Sequence, residues 1–340
     1  MTTTSEPKWT SSLFATILVL VLAALVVPAS ASATNGRVHD VDAEIESGTL
    51  DVDGGVRANT VALRLKAGDP TRIQVDVGDN GSADFSFARS DVDAIRVTMG
   101  NGRDLLRVDD ANGAFTDSIP TTIAGGNGGD SLNGGQGAET FRAGNGDDDV
   151  DGGRGNDFAD LGRGDDRFRW DPGEGSDVIE GQRGSDTMLF NGAAANEDVT
   201  LSANGGRLTF FRDPAKITMD TDDVETVDFN ALGGTDNITV DDLSGTDVTL
   251  ANLDLAGTLG GNASDRAVDN VVVNGTNGVD TINIDRSGSG ADVTGLAAAV
   301  SVTHADLNDR LSINTLAGAD NVLAAGVAGI LQVLVDGSPV

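Results

Sequence analysis

Residues 125–189 read GGNGGDSLN (125–133), GGQGAETFR (134–142), AGNGDDDVD (143–151), GGRGNDFAD (152–160), LGRGDDRFR (161–169), PGEGSDVIE (172–180) and GQRGSDTML (181–189). The seven segments follow one template, G-G-x-G-x-D-x-U-x, in which U is a large apolar residue. Only Trp170 and Asp171 interrupt their order. A single match to this template carries little information, whereas seven tandem matches indicate a stack of repeated structural units. This stretch therefore decides the predicted fold.

Each position of the template has a physical reason. Glycines at the first, second and fourth positions permit backbone conformations with φ > 0 and let carbonyl groups turn inward. The carboxylate at the sixth position is a hard oxygen ligand, and calcium takes six to eight such oxygens. One short loop cannot offer so many, so two loops must share each ion. The eighth position is expected to point into the core, in Leu132, Phe141, Val150, Ala159, Phe168, Ile179 and Met188.

Two nonapeptides make one turn of about eighteen residues, so alternate copies stack and share an ion. The predicted carboxylate ligands are Asp130, Glu139, Asp148, Asp157, Asp166, Asp177 and Asp186. The predicted turn glycines are Gly126, Gly128, Gly144, Gly146, Gly153, Gly155, Gly162, Gly164, Gly173 and Gly175. Stacking pairs Asp130 with Asp148, Glu139 with Asp157, Asp148 with Asp166, Asp157 with Asp177, and Asp166 with Asp186. These pairs set about five ions as the maximum.

Three features of the array predict weaker sites. Glu139 is one methylene longer than the usual ligand, and Ala159 fills its core position poorly. The insertion of Trp170 and Asp171 is expected to displace the loop that carries Asp177.

The charge of the array supports a bound cation. Residues 125–189 carry fifteen acidic residues and six arginines, a net charge of −9. Carboxylates stacked a few ångströms apart repel by several kcal/mol at an effective dielectric constant of about 20. Calcium would offset this repulsion, so we expect a segment that folds when calcium binds. The alternative is a metal-free solenoid in which the Gly-Asp turns merely cap strands.

The repeat continues in degraded form on both sides. Upstream, MGNGRDLLR (99–107) places Asp104 at the sixth position, which adds a further predicted ligand. Downstream, LGGTDNITV (232–240) and GTNGVDTIN (275–283) keep parts of the template among short alternating apolar and polar runs. An antiparallel sandwich could use such runs. The shared template favours one all-β fold instead, a right-handed parallel β-roll or β-solenoid with two nonapeptides per turn in the centre and less regular coils on both sides.

Four segments are predicted from these patterns. Residues 1–33 form a signal peptide, 34–124 an N-terminal β-rich solenoid segment, 125–189 the nonapeptide β-roll, and 190–340 a C-terminal β-rich solenoid segment with degenerate repeats. The least repetitive stretch, 190–225, is expected to be an irregular coil or a junction.

The chain resembles an uncharacterised group of secreted bacterial proteins of the haemolysin-type, or repeats-in-toxin (RTX), calcium-binding family. The resemblance covers roughly residues 36–335 and is carried by AFTDSIPTTIAGGNGGD (114–130), FRWDPGEGSDVIEGQRGSD (168–186), VETVDFNALGGTDNITVDDLSGTDVTLANLDL (224–255) and VVVNGTNGVDTINI (271–284). It implies a calcium-loaded parallel β-roll outside the cell, with no assigned chemistry. The chain departs from the usual repeat at Glu139, Leu161 and Pro172.

The N-terminal residues predict secretion. Lys8 precedes an apolar run from Leu13 to Val27, which Pro28 ends, and Ala31-Ser32-Ala33 follows. This order is typical of a signal peptide cleaved after Ala33. The run is shorter than the ~20 residues of a spanning helix, so no membrane span is expected after cleavage. An uncleaved anchor is the alternative. The chain has no cysteine, and calcium is the available substitute for disulfides.

The net charge of −32 limits the partners. Such an excess of carboxylates disfavours nucleic acid and anionic membranes. Calcium ions are the predicted partners and Ca²⁺ the predicted cofactor, with cell-surface or extracellular polysaccharide as a further candidate.

No catalytic motif is present, so we do not expect an enzyme. The two histidines, His39 and His304, stand far apart, and H-E-x-x-H and G-x-S-x-G are both missing. A polysaccharide lyase or epimerase remains an alternative because such enzymes use Asp, Arg and Lys without a linear motif. The candidate cluster is Arg163, Arg167 and Arg169 near Asp165 and Asp166, although arginines that neutralise an acidic surface explain it better. An adhesin or surface-layer component, in which the fold itself is the function, is the third possibility.

Overall fold

The computed structural model describes residues 40–340. The predicted signal peptide and residues 34–39 lie outside the described residues. No helix between residues 40 and 340 has the length and apolar character needed to cross a membrane.

The described residues form strands joined by short turns, with two 3₁₀ turns at Arg89–Asp91 and Asp110–Asn112. The strands are β1 Asp42–Glu46, β2 Thr49–Asp53, β3 Thr60–Lys66, β4 Asp69–Val77, β5 Phe85–Ala88, β6 Ala94–Asn101, β7 Leu105–Asp109, β8 Thr121–Asn127, β9 Ser131–Asn133, β10 Glu139–Asn145, β11 Asp149–Asp151, β12 Phe158–Arg163, β13 Arg167–Trp170, β14 Val178–Glu180, β15 Thr187–Asn191, β16 Asp198–Asn204, β17 Arg207–Asp213, β18 Ile217–Asp222, β19 Thr226–Asn230, β20 Asn237–Val240, β21 Leu250–Asp254, β22 Asn270–Asn274, β23 Thr281–Ser287, β24 Gly290–Thr294, β25 Ala299–Thr303, β26 Arg310–Asn314, β27 Asn321–Ala325, β28 Gln332–Val335 and β29 Ser338–Pro339.

These strands form two sheets. Sheet 1 has fifteen strands in the order β1-β2-β6-β8-β10-β12-β14-β18-β17-β16-β20-β22-β26-β28-β29. Sheet 2 has fourteen in the order β27-β23-β24-β25-β21-β19-β15-β13-β11-β9-β7-β3-β4-β5. From β6 to β15 successive strands alternate between the sheets, so each pair of strands makes one coil. The predicted all-β solenoid with parallel sheets is confirmed.

The nonapeptides set the register of the central coils. In sheet 1 Phe141 pairs with Ala159, and in sheet 2 Leu132 pairs with Val150, which pairs with Phe168. Each of these steps is eighteen residues, the length of two nonapeptides. All pairings between these strands are parallel, because the chain enters each coil in the same direction.

One apolar core lies between the sheets. The predicted eighth-position residues of all seven nonapeptides are fully buried, Ala159 included. They belong to a single cluster that extends from Val41 to Val333. Alternation along each strand explains this, because a period of two sends successive side chains to opposite faces of a sheet.

The core changes character beside the two inserted residues. Trp170 extends β13 and stacks on Phe190, with ring centroids 4.0 Å apart and an interplanar angle of 7°. Phe210 lies 4.4 Å from Phe190, and Phe229 closes the group. The insertion is thus absorbed by a longer strand and a larger core layer. Contrary to expectation, it leaves the Asp177 turn in register, since Val178 pairs with Phe158.

The solenoid is not parallel throughout. Antiparallel excursions occur at β3-β4-β5, β16-β17-β18 and β23-β24-β25, and β1-β2 and β28-β29 form antiparallel pairs at the ends of sheet 1. The second contains most of residues 190–225, the stretch without repeats. Because β16 and β18 remain at the two sides of the excursion, the parallel stacking resumes at β20.

We predict that Phe168→Ala lowers the free energy of unfolding by about 3–5 kcal/mol, because it leaves a cavity between Val150 and Met188. Urea denaturation at saturating calcium measures the loss. Phe158→Ala is the matched control, because the side chain of Phe158 is 40% exposed on the outer face. Equal losses in the two variants would contradict the inward assignment of the eighth position.

Candidate metal centre

The sixth-position carboxylates form two ladders along the edges where the chain passes between the sheets. The first ladder comprises Asp104, Asp130, Asp148, Asp166 and Asp186, each just before a strand of sheet 2. The second comprises Glu139, which begins β10, and Asp157 and Asp177, each just before a strand of sheet 1. All eight residues are at most 3% exposed.

One carboxylate oxygen of each aspartate binds the backbone of the preceding coil. In the first ladder Asp130 Oδ1 accepts from Asp104 N–H at 2.8 Å, and Asp148 Oδ1 accepts from Asp130 N–H at 2.7 Å. The same bond joins Asp148 to Asp166 at 2.7 Å and Asp166 to Asp186 at 2.8 Å. In the second ladder it joins Glu139 to Asp157 at 2.7 Å and Asp157 to Asp177 at 2.8 Å. The structure therefore brings together each of the five predicted pairs.

The other oxygen of each carboxylate is buried and accepts no hydrogen bond within residues 40–340. These atoms are Asp104 Oδ2, Asp130 Oδ2, Glu139 Oε1, Asp148 Oδ2, Asp157 Oδ2, Asp166 Oδ2, Asp177 Oδ2 and Asp186 Oδ2. Buried polar atoms normally have a partner, and an unpaired buried charge is far more costly than an unpaired neutral group. Eight such atoms in two rows are a regular feature of the turns.

Glycine leaves space beside these oxygens. A Cβ on Gly125 would lie 2.6 Å from Asp130 Oδ2 and 2.5 Å from the carbonyl oxygen of Ala143 on the next coil. Similarly, a Cβ on Gly181 would lie 2.7 Å from Asp186 Oδ2 and would overlap the carbonyl of Asp223. At these two turns the first glycine of the template thus lies between a carboxylate oxygen of its own turn and a carbonyl oxygen of a later coil.

The predicted turn glycines stack on one another. Positive φ values occur at Gly126, Gly128, Gly144, Gly146, Gly153, Gly155, Gly162, Gly164 and Gly173. A Cβ on Gly146 would overlap the carbonyl oxygen of Gly128, and one on Gly164 would overlap that of Gly146. A Cβ on Gly175 would likewise overlap the carbonyl oxygen of Gly155, although the φ of Gly175 is not in the positive range. Gly173 is the exception, because a Cβ there would meet no atom within 4 Å.

Burial raises the pKa of the ladder carboxyls. It raises the pKa of Asp148, Asp177 and Asp186 to about 7 and that of Asp157 to about 9. For Asp148 and Asp157, the charges of neighbouring carboxylates raise the pKa further. Asp104 and Asp166 reach about 6, and Glu139 about 7, again chiefly through burial. Such groups favour either a proton or a metal cation, since both remove the cost of a buried negative charge.

Comparison with models of known protein families finds none that matches this chain. Comparison with curated proteins finds no match either. The assignment of the turns therefore depends on their own geometry.

Glu139 is held differently from the aspartates. Its Oε2 accepts from Gly135 N–H of its own turn at 2.8 Å, while the aspartates reach back to the preceding coil. The extra methylene lets the carboxylate fold over its own turn. Asp104, from the degraded upstream copy, behaves like a regular member, since its Oδ1 accepts from Asn59 N–H at 2.6 Å.

The ladders continue beyond the repeats with residues that the sequence did not predict. Asp186 N–H donates to Glu225 Oε2 at 2.7 Å, across an interval of 39 residues. Further along, Glu197 N–H donates to Asp236 Oδ1, Asp236 N–H to Asp269 Oδ1, and Asp269 N–H to Asp309 Oδ1. Asp236 stands in the degraded copy LGGTDNITV, which was a usable signal. Glu225 and Glu197 carried no signal, because an antiparallel excursion separates each from its partner in the sequence.

At Glu197 the protein supplies its own cation. Glu197 Oε1 accepts from Arg212 Nε at 2.6 Å and is also ion-paired with the Nη2 of that arginine. The guanidinium lies 5.4 Å from the ring centroid of Trp170, and its Nη1 donates to Pro214 O at 3.2 Å. Both side chains are buried, at 6% and 0% exposure. This turn therefore has a built-in positive charge.

A separate group of three carboxylates lies near the insertion. One oxygen each from Asp151, Asp171 and Glu174 lies within 4.8 Å of the others. Burial raises the pKa of Glu174 to about 8, and the charges of Asp151 and Asp171 add to the rise. Arg169 pairs with Asp151 and lies 3.5 Å from Asp171. A protein cation is thus already part of this group, which is less buried than the ladders.

The arginine cluster considered for a lyase is divided by the fold. Arg163 ends β12 of sheet 1, whereas Arg167 and Arg169 belong to β13 of sheet 2 and pair with Asp149 and Asp151. The three side chains do not form one site.

We predict that the metal-free protein becomes less stable as the pH rises. An aspartate in the unfolded chain has a pKa of about 3.9, whereas the folded values lie at about 6 to about 9. The stability due to these groups is full below the unfolded pKa and is lost as the pH rises through the folded pKa. Urea midpoints of resin-stripped protein at acidic and alkaline pH measure this. A higher midpoint at alkaline pH would contradict the assignment, and saturating calcium should remove the dependence.

We also predict that Arg212→Gln lowers the free energy of unfolding by about 3–5 kcal/mol, because it leaves Glu197 buried without a counter-charge. Arg142→Gln is the control, since Arg142 is exposed and has no ion pair within the described chain. Urea denaturation with and without calcium compares the two variants. A loss in Arg212→Gln no greater than in the control would show that the pair does not hold this turn together.

Proposed function

We propose that this chain is a secreted calcium-binding repeat protein of the RTX type. Its Gly-Asp turns bind Ca²⁺ and thereby complete the fold, and its role is structural or one of surface interaction. The observation that carries the proposal is the two ladders of buried carboxylates, each with one oxygen bonded to the neighbouring coil and the other unpartnered. At Asp130, Asp157 and Asp186 the unpartnered oxygen lies beside the first glycine of its own turn.

The donor set favours calcium over other metals. The ladders offer carboxylate oxygens, and the nearby turns offer backbone carbonyls, without sulfur or imidazole. Hard oxygen donors suit calcium and magnesium rather than zinc or copper. Magnesium keeps several waters and rarely takes a cage made only of protein groups, whereas calcium tolerates many oxygens in irregular geometry. A stack of carboxylates and carbonyls therefore fits calcium best.

The residues that would hold each ion follow from the stacking. Asp130 and Asp148 would share one, as would Asp148 and Asp166, Asp166 and Asp186, and Asp157 and Asp177. Glu139 and Asp157 would hold the fifth less tightly, because Glu139 bonds to its own turn. Asp104 stacks on Asp130 in the same geometry and extends the first ladder by one turn. Calcium supplies positive charge that neutralises these carboxylates.

Secretion and calcium support one another in this proposal. The signal-peptide pattern ending at Ala33 would deliver the chain to a compartment where extracellular calcium modules work at about 10⁻⁴–10⁻³ M. Because ligand binding to the folded state alone adds stability, calcium would favour folding there.

Calcium titration followed by calorimetry and circular dichroism tests the proposal. We expect binding of up to about five ions at the paired nonapeptide turns and of one more at the pair formed by Asp104 and Asp130, together with a gain of strand signal relative to chelator-treated protein. Identical spectra with and without calcium, and no heat of binding, would overturn it.

A matched pair of variants locates the ions. Asp148→Asn should bind fewer ions than the natural chain, because Asp148 stacks with Asp130 on one side and Asp166 on the other. Asp160→Asn removes the same charge from the outer face of β12 and should bind the full number. If both variants keep the natural stoichiometry, the ladders do not bind the metal.

A further inference from the structure

A groove with a volume of about 390 Å³ lies on the outside of sheet 1, over the nonapeptide coils. Its walls carry Arg142, Asn145, Asp160, Arg163 and Arg183, and stacked glycines of β10 and β12 form part of its lining. None of these residues belongs to the carboxylate ladders. Arg163 and Arg183 occupy the third position of the template, and Gly144 and Gly162 of the lining are predicted turn glycines, so the groove borders the proposed calcium turns without including a ladder carboxylate.

The three arginines of the groove are exposed, and no ion pair within residues 40–340 engages them. The groove lining contains these three arginines and one carboxylate, Asp160, so the lining carries a net positive charge on a chain of net charge −32. An anion that enters it would meet attraction at close range, while the remaining negative charge is screened beyond about 10 Å at 0.1 M salt.

The register places two of the arginines directly above one another. Asn145 pairs with Arg163, and Arg163 forms a bridge with Arg183 on the next coil. Neighbouring strands lie about 4.8 Å apart, so two like charges stand one strand spacing apart on the groove wall. An anion between them would offset their repulsion through charge-assisted hydrogen bonds.

On the preceding coils, asparagines occupy the position equivalent to Arg163 and Arg183. Asn145 Nδ2 donates to Asn127 Oδ1, and Asn127 Nδ2 donates to Asn101 Oδ1, each at 2.8 Å. This neutral ladder satisfies itself. It ends where Arg163 and Arg183 replace asparagine, so the structural pattern gives way to unpaired positive charge at the groove.

One exposed aromatic ring lies on the same face. Phe158 begins β12 two residues before Asp160, and its side chain is 40% exposed. Other phenylalanines of these coils, Phe141 and Phe168, are fully buried. Because side chains alternate along a strand, Phe158 and Asp160 point to the same outer surface. The surface thus combines an apolar ring with guanidinium groups.

We propose that this groove binds a carboxylate-bearing oligosaccharide, with its carboxylates on Arg163, Arg183 and Arg142 and a sugar ring against Phe158. Guanidinium binds carboxylate in a planar, bidentate manner, and the apolar face of a pyranose ring packs against an aromatic ring. The strand spacing is close to the length of one sugar residue, so successive sugars can meet successive coils. Nucleic acid carries denser charge, which the acidic surface around the groove repels. The proposal goes beyond calcium binding and requires only that the coils are folded.

Calorimetric titration of the full chain at saturating calcium with a short oligogalacturonate tests this, after subtraction of the heat of the same titration into calcium buffer without protein. The same oligosaccharide with its carboxyl groups methyl-esterified is the matched ligand, and a single-stranded oligothymidylate of similar length is the alternative polyanion. We expect binding of the acid form, weaker binding of the ester and none of the oligonucleotide. Binding of the ester as tight as the acid, tighter binding of the oligonucleotide, or no binding of the acid form would overturn the proposal.

Variants assign the binding to the groove. Arg163→Gln with Arg183→Gln should weaken binding by on the order of tenfold or more, and Phe158→Ala should weaken it to a smaller extent. Arg154→Gln is the control, because Arg154 occupies the equivalent third position of the opposite turn and is exposed without an ion pair inside the described range. Unchanged affinity in the double variant, or equal loss in the control, would overturn the assignment.

Two measurements separate this result from the calcium proposal. The strand signal and the urea midpoint show that each variant is folded, and the calcium stoichiometry of the double variant should equal that of the natural chain. Failure of calcium binding with retained sugar binding would overturn the metal assignment alone. Failure of sugar binding with intact calcium stoichiometry would overturn the groove alone.

Discussion

The bond on which the other features depend joins the N–H of a buried acidic residue to the carboxylate of the equivalent residue one coil later. Asp130, Asp148 and Asp166 repeat it at 2.7–2.8 Å. Together with backbone bonds such as that from Asp149 N–H to Asp130 O, it fixes the register of the coils at the turn. It also commits one oxygen of each carboxylate and leaves the other buried without a donor. The fold therefore holds a row of buried carboxyl groups that favour a proton or a metal cation.

That arrangement explains why glycine and aspartate recur together. The stacked turns approach so closely that a Cβ at Gly146 or Gly164 would overlap the carbonyl of the coil before it. The same closeness brings carbonyl and carboxylate oxygens from different coils into one space, and so a structural requirement creates a set of oxygen donors. Where the template is lost, as at Glu197, the buried carboxylate persists and Arg212 supplies the positive charge from within the chain. The solenoid thus uses two ways of neutralising one kind of turn.

Different properties determine which residues occupy the core and which occupy the outer face. Inside, size and apolarity decide each position, as Phe141, Phe168 and Trp170 illustrate. On the outer face the register places equivalent side chains above one another. Stacked asparagines such as Asn127 and Asn145 hydrogen-bond to each other, whereas the stacked Arg163 and Arg183 bring two positive charges together. Substitutions at one template position in successive coils therefore produce a continuous surface. A binding groove can arise in this way without an inserted loop.

The sequence by itself determined the period, the inward eighth position and the five carboxylate pairs, because nine-residue repeats impose the same local geometry on every copy. It did not determine how the chain passes residues 190–225, since an antiparallel excursion leaves no periodic signal. Tertiary structure alone decided that Glu225 continues the first ladder, that Arg212 reaches Glu197, and that Trp170 fills a core layer and keeps Asp177 in register. The reason is physical: repeats specify contacts between equivalent positions, whereas contacts between unlike residues distant in the chain exist only once the coils are stacked.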